Sequence, residues 1–123
     1  MNQPVPNQTA ANQTAAVELP YKIIENIETL LDEIPEDSIV SRTVWKSDSV
    51  KAVLFGFDTG QSLSEHSAGQ AAIVHMLAGE AQITLADEVI EAKPGTWIYM
   101  PPRMSHSVTA YTPTKMLLLL LQK

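Results

Sequence analysis

No cysteine occurs in the 123 residues. Disulfide staples, thiolate metal ligands and cysteine nucleophiles are therefore excluded. Positive charge is sparse: eight Lys and Arg stand against fourteen Asp and Glu, giving a formal charge of −6 and a pI near 4.9. Without a Lys/Arg cluster, the chain lacks the electrostatic footprint of a nucleic-acid surface or of a polybasic membrane contact. The first 16 residues hold no Lys, no Arg and no long apolar run, so they do not read as a secretory signal. Met116 to Leu121 is apolar but far too short to cross a bilayer. These absences lead us to expect a soluble cytoplasmic protein with no nucleic-acid or membrane partner. Also missing are a P-loop, a dinucleotide fingerprint, a nucleophile elbow and a carboxylate pair of the glycosidase kind.

What is there fits one domain of ordinary size. Residues 1–18 open with an uncharged stretch rich in Asn, Gln, Thr, Ala and Pro, with NQTA at 7–10 and again at 12–15. Such a segment has too little apolar surface to offset its ordering entropy, and is expected to be a flexible tail. Residues 19–123 form the domain. Tyr21 to Ile24 reads as a short edge strand. Asn26 is a candidate cap for one helical turn, because Ile27, Leu30, Leu31 and Ile34 share a face, and Pro35 ends it.

Beyond Pro35 the pattern is β. Runs at 39–45, 49–57, 71–77, 81–85, 89–91, 96–100, 105–110 and 115–121 are short, rich in β-branched or apolar residues, and separated by turn signals such as Asp58-Thr59-Gly60 and Lys93-Pro94-Gly95. An all-β sandwich or barrel follows. Leu117 to Leu121 has no polar alternation. A strand covered on both faces reads this way, and so does a short helix, since Leu is a good helix former. In a small barrel the second cover has to come from outside, and a second copy of the chain, making a homodimer, is the simplest source.

Two segments carry a regular layout. Gly60 is followed after five residues by His66, and Gly79 closes that segment; Gly95 is followed after five residues by Pro101, and His106 closes the second. The layout resembles the two motifs of the cupin superfamily. The first of these reads Gly, five residues, His-x-His, three or four residues, Glu, six residues, Gly. The second reads Gly, five residues, Pro-x-Gly, two residues, His, three residues, Asn. Gly60, His66, Gly79, Gly95, Pro101 and His106 match. Ala68 and Ala72 stand where the second His and the Glu belong, Arg103 where the Gly after Pro belongs, and Ala110 where the Asn belongs. The resemblance covers roughly residues 38–123. It implies a cupin-type jelly-roll barrel (a double-stranded β-helix of the RmlC-like kind), which in typical members holds one divalent metal with three His and one Glu.

Only two of those four ligand positions keep a metal-binding residue. His66 and His106 are the candidate metal ligands, with Gln70 as a weak third donor, and the three together are the candidate ligand-binding residues. A tight site needs at least three donors. His75 is a tempting addition. Strand alternation from Ala72 places it instead with Ile73 and Leu77 on the outer face. Trp97 and Tyr99 share one face of their run, but the Pro101-Pro102 turn leaves open whether that face is inner or outer. Arg103 lies beside the mouth as a loop residue, and Glu65 and Glu80 are expected to point outward.

Three functions follow. The first is a barrel binding a small, mostly apolar molecule, since two Ala in place of ligands make the interior less polar. The alternative is a metal-dependent enzyme, dioxygenase-like or isomerase-like as the resemblance implies, with one divalent transition metal held by His66, His106 and either Gln70 or water. The third is an interaction module built on the apolar final strand.

Overall fold

The computed structural model describes residues 19–65 and 69–122, residue 65 by its backbone alone. The expected tail at 1–18 and the candidate ligand His66 lie outside the described residues. Nine strands follow a single 3-10 turn at Ile27–Leu31, and there is no α-helix among the described residues. They are β1 (Ile39–Lys46), β2 (Val50–Phe57), β3 (Ser62–Glu65), β4 (Ala72–Ala78), β5 (Ala81–Leu85), β6 (Glu88–Ala92), β7 (Trp97–Met100), β8 (His106–Ala110) and β9 (Thr114–Leu121). One sheet has the order β1-β2-β9-β4-β7 and the other β3-β8-β5-β6, with every described pairing antiparallel. From β2 onward the chain passes from one sheet to the other at each connection except the β5–β6 hairpin. This alternating winding is the expected double-stranded β-helix barrel.

Period-2 alternation decides what fills the barrel. Ala72, Val74 and Met76 of β4, Ile98 and Met100 of β7, and Met116 of β9 point inward. They meet Ala81, Ile83, Ala92, Val108 and Ala110 of the second sheet in one buried cluster with Phe57. Thr114 is fully buried, and its hydroxyl donates to Thr112 O at 2.8 Å, so the burial leaves it satisfied.

The 3-10 turn is capped as its sequence suggests: Asn26 Oδ1 accepts from Glu28 N at 3.2 Å. It packs on the outside of β2, where Gly56 leaves room. A methyl group at position 56 would lie 2.8 Å from Leu31 Cδ2 and 2.9 Å from Ile34 Cγ1. Gly56→Ala is therefore expected to lift this turn and to cost about 1 to 2 kcal/mol, as overpacking does. A urea midpoint reads this directly, and an unchanged midpoint would show that the turn contributes nothing to stability.

One expectation needs correction, and one open alternative is resolved. Tyr21 to Ile24 is not a strand, since it finds no pairing partner among the described residues and its residues are largely exposed. The Leu-rich stretch is a strand rather than a helix, because β2 on one side and β4 on the other take up its backbone groups. β3 (SLSE) gave no sequence signal. Only Leu63 of its first three residues faces the core, and Ser62 and Ser64 face solvent.

The outer faces of the two sheets differ in chemistry. On the four-stranded sheet the registered outward positions are Ser62, Ser64, Ser107, Thr109, Gln82, Thr84, Val89 and Glu91. On the five-stranded sheet, β4, β7 and β9 turn Ile73, His75, Trp97, Tyr99, Leu117 and Leu119 outward. None of the chain's fourteen acidic residues falls in the strands of this sheet.

Candidate functional site

The strand that follows the opening glycine of each motif starts from the same end of the barrel. Gly60 N donates to Ala110 O at 2.8 Å, and Gly95 N donates to Met76 O at 2.8 Å, which anchors the two glycines at the same end. The five residues after each glycine carry β3 and β7 across the barrel, a span of about 17 Å at roughly 3.3 Å per residue. His106 opens β8 at the opposite end, beside Leu85 in the register, and Ala72 pairs with both Met100 and Leu120 at this same end. The motif gap is thus the length of one strand crossing.

His106 shares the inward phase of Val108 and Ala110 and is half-buried. Its Nδ1 lies 3.2 Å from Met104 O. With Nδ1 donating to that carbonyl, Nε2 is left as an acceptor, the arrangement by which a backbone group fixes an imidazole tautomer. Arg103 sits in the same connection with φ +67 and is exposed. A left-handed residue here explains why the resemblance puts glycine at this position.

Gln70 lies at the same end, but its Nε2 donates to Gln122 Oε1 at 3.2 Å, which ties the start of β4 to the residue after β9. His75 is on the outer face, in register with Trp97 on one side and Leu117 on the other. The open question about Trp97 and Tyr99 resolves outward: they are 58 % and 51 % exposed, and Ile98 and Met100 face the interior. Glu80 is exposed, as expected.

Among the described residues, no three His, Asp or Glu come together as a metal would require. Ala72, at the Glu position of the motif, is 4 % exposed, and Ala110, at the Asn position, is 1 % exposed; both add apolar surface rather than donors. Among the described residues at this end, His106 is the one imidazole and Gln70 is engaged with Gln122, fewer than the three ligands of defined geometry that a tightly held transition metal needs. What the interior offers instead is methionine. Met76, Met100 and Met116 are buried, and Met104 packs against the same cluster beside His106. Apart from Met1, these are all the methionines of the chain. The alternation of β4, β7 and β9 carried the signal for three of them.

Two other features lie away from this end. A cleft of about 580 Å³ is formed outside the barrel by Leu19, Tyr21, Lys22 and the segment Trp45 to Asp48. On the outer polar sheet, Tyr111 Oη meets Gln82 at 3.1 Å and Glu91 at 3.4 Å. Partial desolvation, and then the Glu91 carboxylate, hold the Tyr111 phenol above its ordinary value.

The cupin domain model matches residues 53–121, more than half of the chain. A cupin superfamily protein from Desulfitobacterium hafniense is 29 % identical over 89 % of this chain and all of its own, with a TM-score of 0.75. A conserved protein of unknown function from Streptococcus pyogenes is 25 % identical, covering 90 % of this chain and 96 % of its own, with a TM-score of 0.73. A salicylate 1,2-dioxygenase from Pseudoaminobacter salicylatoxidans shares the fold at a TM-score of 0.62 and 9 % identity, over 67 % of this chain and 24 % of its own, so cupin enzymes stand among the structural neighbours. No curated protein is similar enough in sequence to be matched to it. The motif spacing, the alternating strand winding and the family match agree, and the chain belongs to the cupin family.

Proposed function

We propose that this cupin binds a small, mostly apolar molecule inside its barrel, at the end marked by His106. The observation that supports this reading is the interior itself: an apolar cluster with three buried methionines, at one end of which Met104 and the half-buried His106 lie together. Methionine is unbranched and polarizable, so a wall built of it adapts to an apolar guest. One polar group among apolar neighbours is the pattern that orients a ligand. His106 would supply that group, as a donor or an acceptor to a polar atom of the guest.

A thermal-shift screen of small apolar acids, alcohols and ketones tests the proposal. A guest at about 100 times its Kd stabilises by about 2.7 kcal/mol. In a domain of this size that raises Tm by about 10 °C or more. His106→Ala is expected to remove most of the shift while leaving the unliganded Tm within a few degrees. A screen with no hit, or hits that survive His106→Ala undiminished, would overturn the reading. Near-stoichiometric metal in chelator-free protein, lost in the His66→Ala, His106→Ala double variant, would overturn it in favour of a metal-dependent enzyme.

A further inference from the structure

The cleft beside the first hairpin gathers aromatic rings and positive charge, two things this chain has little of. β1 ends at Lys46 and β2 begins at Val50, so Ser47 to Ser49 make the turn between them. That turn is tied down by its own first side chain. Ser47 Oγ accepts from Ser49 N at 3.2 Å and from Val50 N at 3.3 Å, and Ser47 N donates to Val50 O at 2.9 Å. The hairpin is thus a fixed wall of the cleft. The other wall is the stretch Leu19 to Lys22, which forms no strand pairing and no backbone hydrogen bond among the described residues. Trp45 lines the cleft from the first wall and Tyr21 from the second. They are 38 % and 58 % exposed, although large aromatic rings gain most from burial.

Cations collect at the same place. The lining holds Lys22 and Lys46 against one carboxylate, Asp48, so the cleft is positive in a chain whose net charge is −6. Lys51 stands directly opposite Lys46 in the β1–β2 register. Three of the chain's eight Lys and Arg therefore meet around this hairpin. Like charges directly opposite each other on paired strands are destabilising. A bound anion turns that repulsion into attraction, and the two rings beside it offer apolar faces. The cleft volume of about 580 Å³ lies within the roughly 300–1,000 Å³ of small-molecule sites.

We propose that this cleft, outside the barrel, is a binding site for a small planar aromatic carboxylate, with Tyr21 and Trp45 against its ring and Lys22 and Lys46 at its charged head. Two aromatic side chains select a flat apolar body, because rings attract one another in offset or edge-to-face contact. Two ammonium groups select a negative head, and their pull grows where the rings exclude water. Lys is a compact point charge without the planar fork of Arg, so the charge sets the class of ligand and the rings set its shape. The unpaired backbone of Leu19 to Lys22 lets that wall adjust to the thickness of the ligand, while the hairpin holds the other wall in place. The site uses nothing of the barrel interior, so it stands or falls independently of a guest beside His106.

Titration of the isotope-labelled full chain with naphthoate, followed by NMR at the indole N–H signals of Trp45 and Trp97, tests this; Trp45→Phe assigns the two signals. The Trp45 signal is expected to shift saturably with a Kd of about 1 mM or tighter, as suits a ligand of this size. The Trp97 signal, from the outside of β7, is expected to stay in place. Naphthylmethanol, the neutral counterpart, should bind at least fivefold more weakly, and about 0.5 M NaCl should weaken naphthoate at least threefold. The double variant Lys22→Gln, Lys46→Gln should lose at least tenfold in affinity, and Trp45→Ala should abolish binding. Both variants should keep the unliganded Tm within a few degrees, because these side chains are exposed. No saturable shift of the Trp45 signal up to about 5 mM naphthoate overturns the site. Equal affinity for the alcohol, or indifference to the double Lys variant, overturns recognition of the carboxylate. Binding that survives Trp45→Ala undiminished places the ligand elsewhere, the barrel included, and overturns the cleft.

Discussion

Gly79→Ala is expected to destabilise the domain by about 4 kcal/mol or more, combining left-handed backbone strain of about 1–2 kcal/mol with a steric conflict that the turn has no room to relieve. Gly79 has φ +82 in the connection between β4 and β5. An added Cβ would lie 2.1 Å from Pro113 O, 2.7 Å from Thr114 Oγ1 and 2.8 Å from Thr114 Cα. Two of these atoms are backbone, and the third belongs to a fully buried side chain. The segment that would have to move is also held by hydrogen bonds. Thr112 Oγ1 accepts from Glu80 N at 2.9 Å, and Glu80 O accepts from Tyr111 N at 2.9 Å. Gly60 is the natural comparator, because it shares the same φ of +82 but has open space where its Cβ would stand. Gly60→Ala should therefore cost only the conformational part, about 1–2 kcal/mol. Urea denaturation of both variants measures the difference. Equal losses would mean that the close approach of Pro113 is not maintained in solution. A small domain holds only about 5–15 kcal/mol in total, so Gly79→Ala is also expected to lower the soluble yield at 37 °C.

The Gly79 contact shows why the motifs were legible and the site was not. A motif glycine marks a turn with positive φ, as at Gly60, Gly79 and Gly95, and the gap to the next motif residue measures one strand crossing. Both are properties of the fold, which short-range spacing records. His75 was placed on the outer face by alternation from Ala72, because β4 is regular. Asn26, as the cap of a single turn, was readable from four residues. Other features depend on partners remote in sequence. The outward phase of Trp97 and Tyr99 is set by pairing with His75 and Ile73, across a turn whose geometry the Pro101-Pro102 pair conceals. Gln70 spends its amide on Gln122, 52 residues away. β3 is four residues long with serines on its wet face, so it offered no apolar rhythm. Tyr21 to Ile24 had strand composition without a neighbour to pair with among the described residues, and composition alone does not make a strand. The methionine interior was within reach, since three of its members alternate with outward residues in strands that were identified. Its meaning became visible only once those strands were known to converge.

Met76→Ala tests that interior most directly. Met76 is fully buried and directly opposite Met116, and its backbone is pinned by Thr96 O at 2.9 Å and by Gly95 N at 2.8 Å. The strand therefore has little freedom to close over a smaller side chain. Replacing a buried Met by Ala costs about 2–5 kcal/mol, according to how far the neighbours relax into the space. Here three neighbours in the same cluster are themselves methionines, and their flexible chains soften the loss. A value of about 3 kcal/mol is expected. The same softness should make the interior receptive. A residual apolar space stays dry and takes up small apolar molecules, so benzene or indole should raise the Tm of Met76→Ala by more than it raises that of the unaltered protein. A loss below about 1 kcal/mol would show the barrel centre to be loosely filled before any substitution. A full loss with no preferential stabilisation by such probes would show an interior that collapses rather than accommodates. That second outcome would count against the binding role, because a wall that closes over a missing side chain is a core, whereas one that holds the space open is a site.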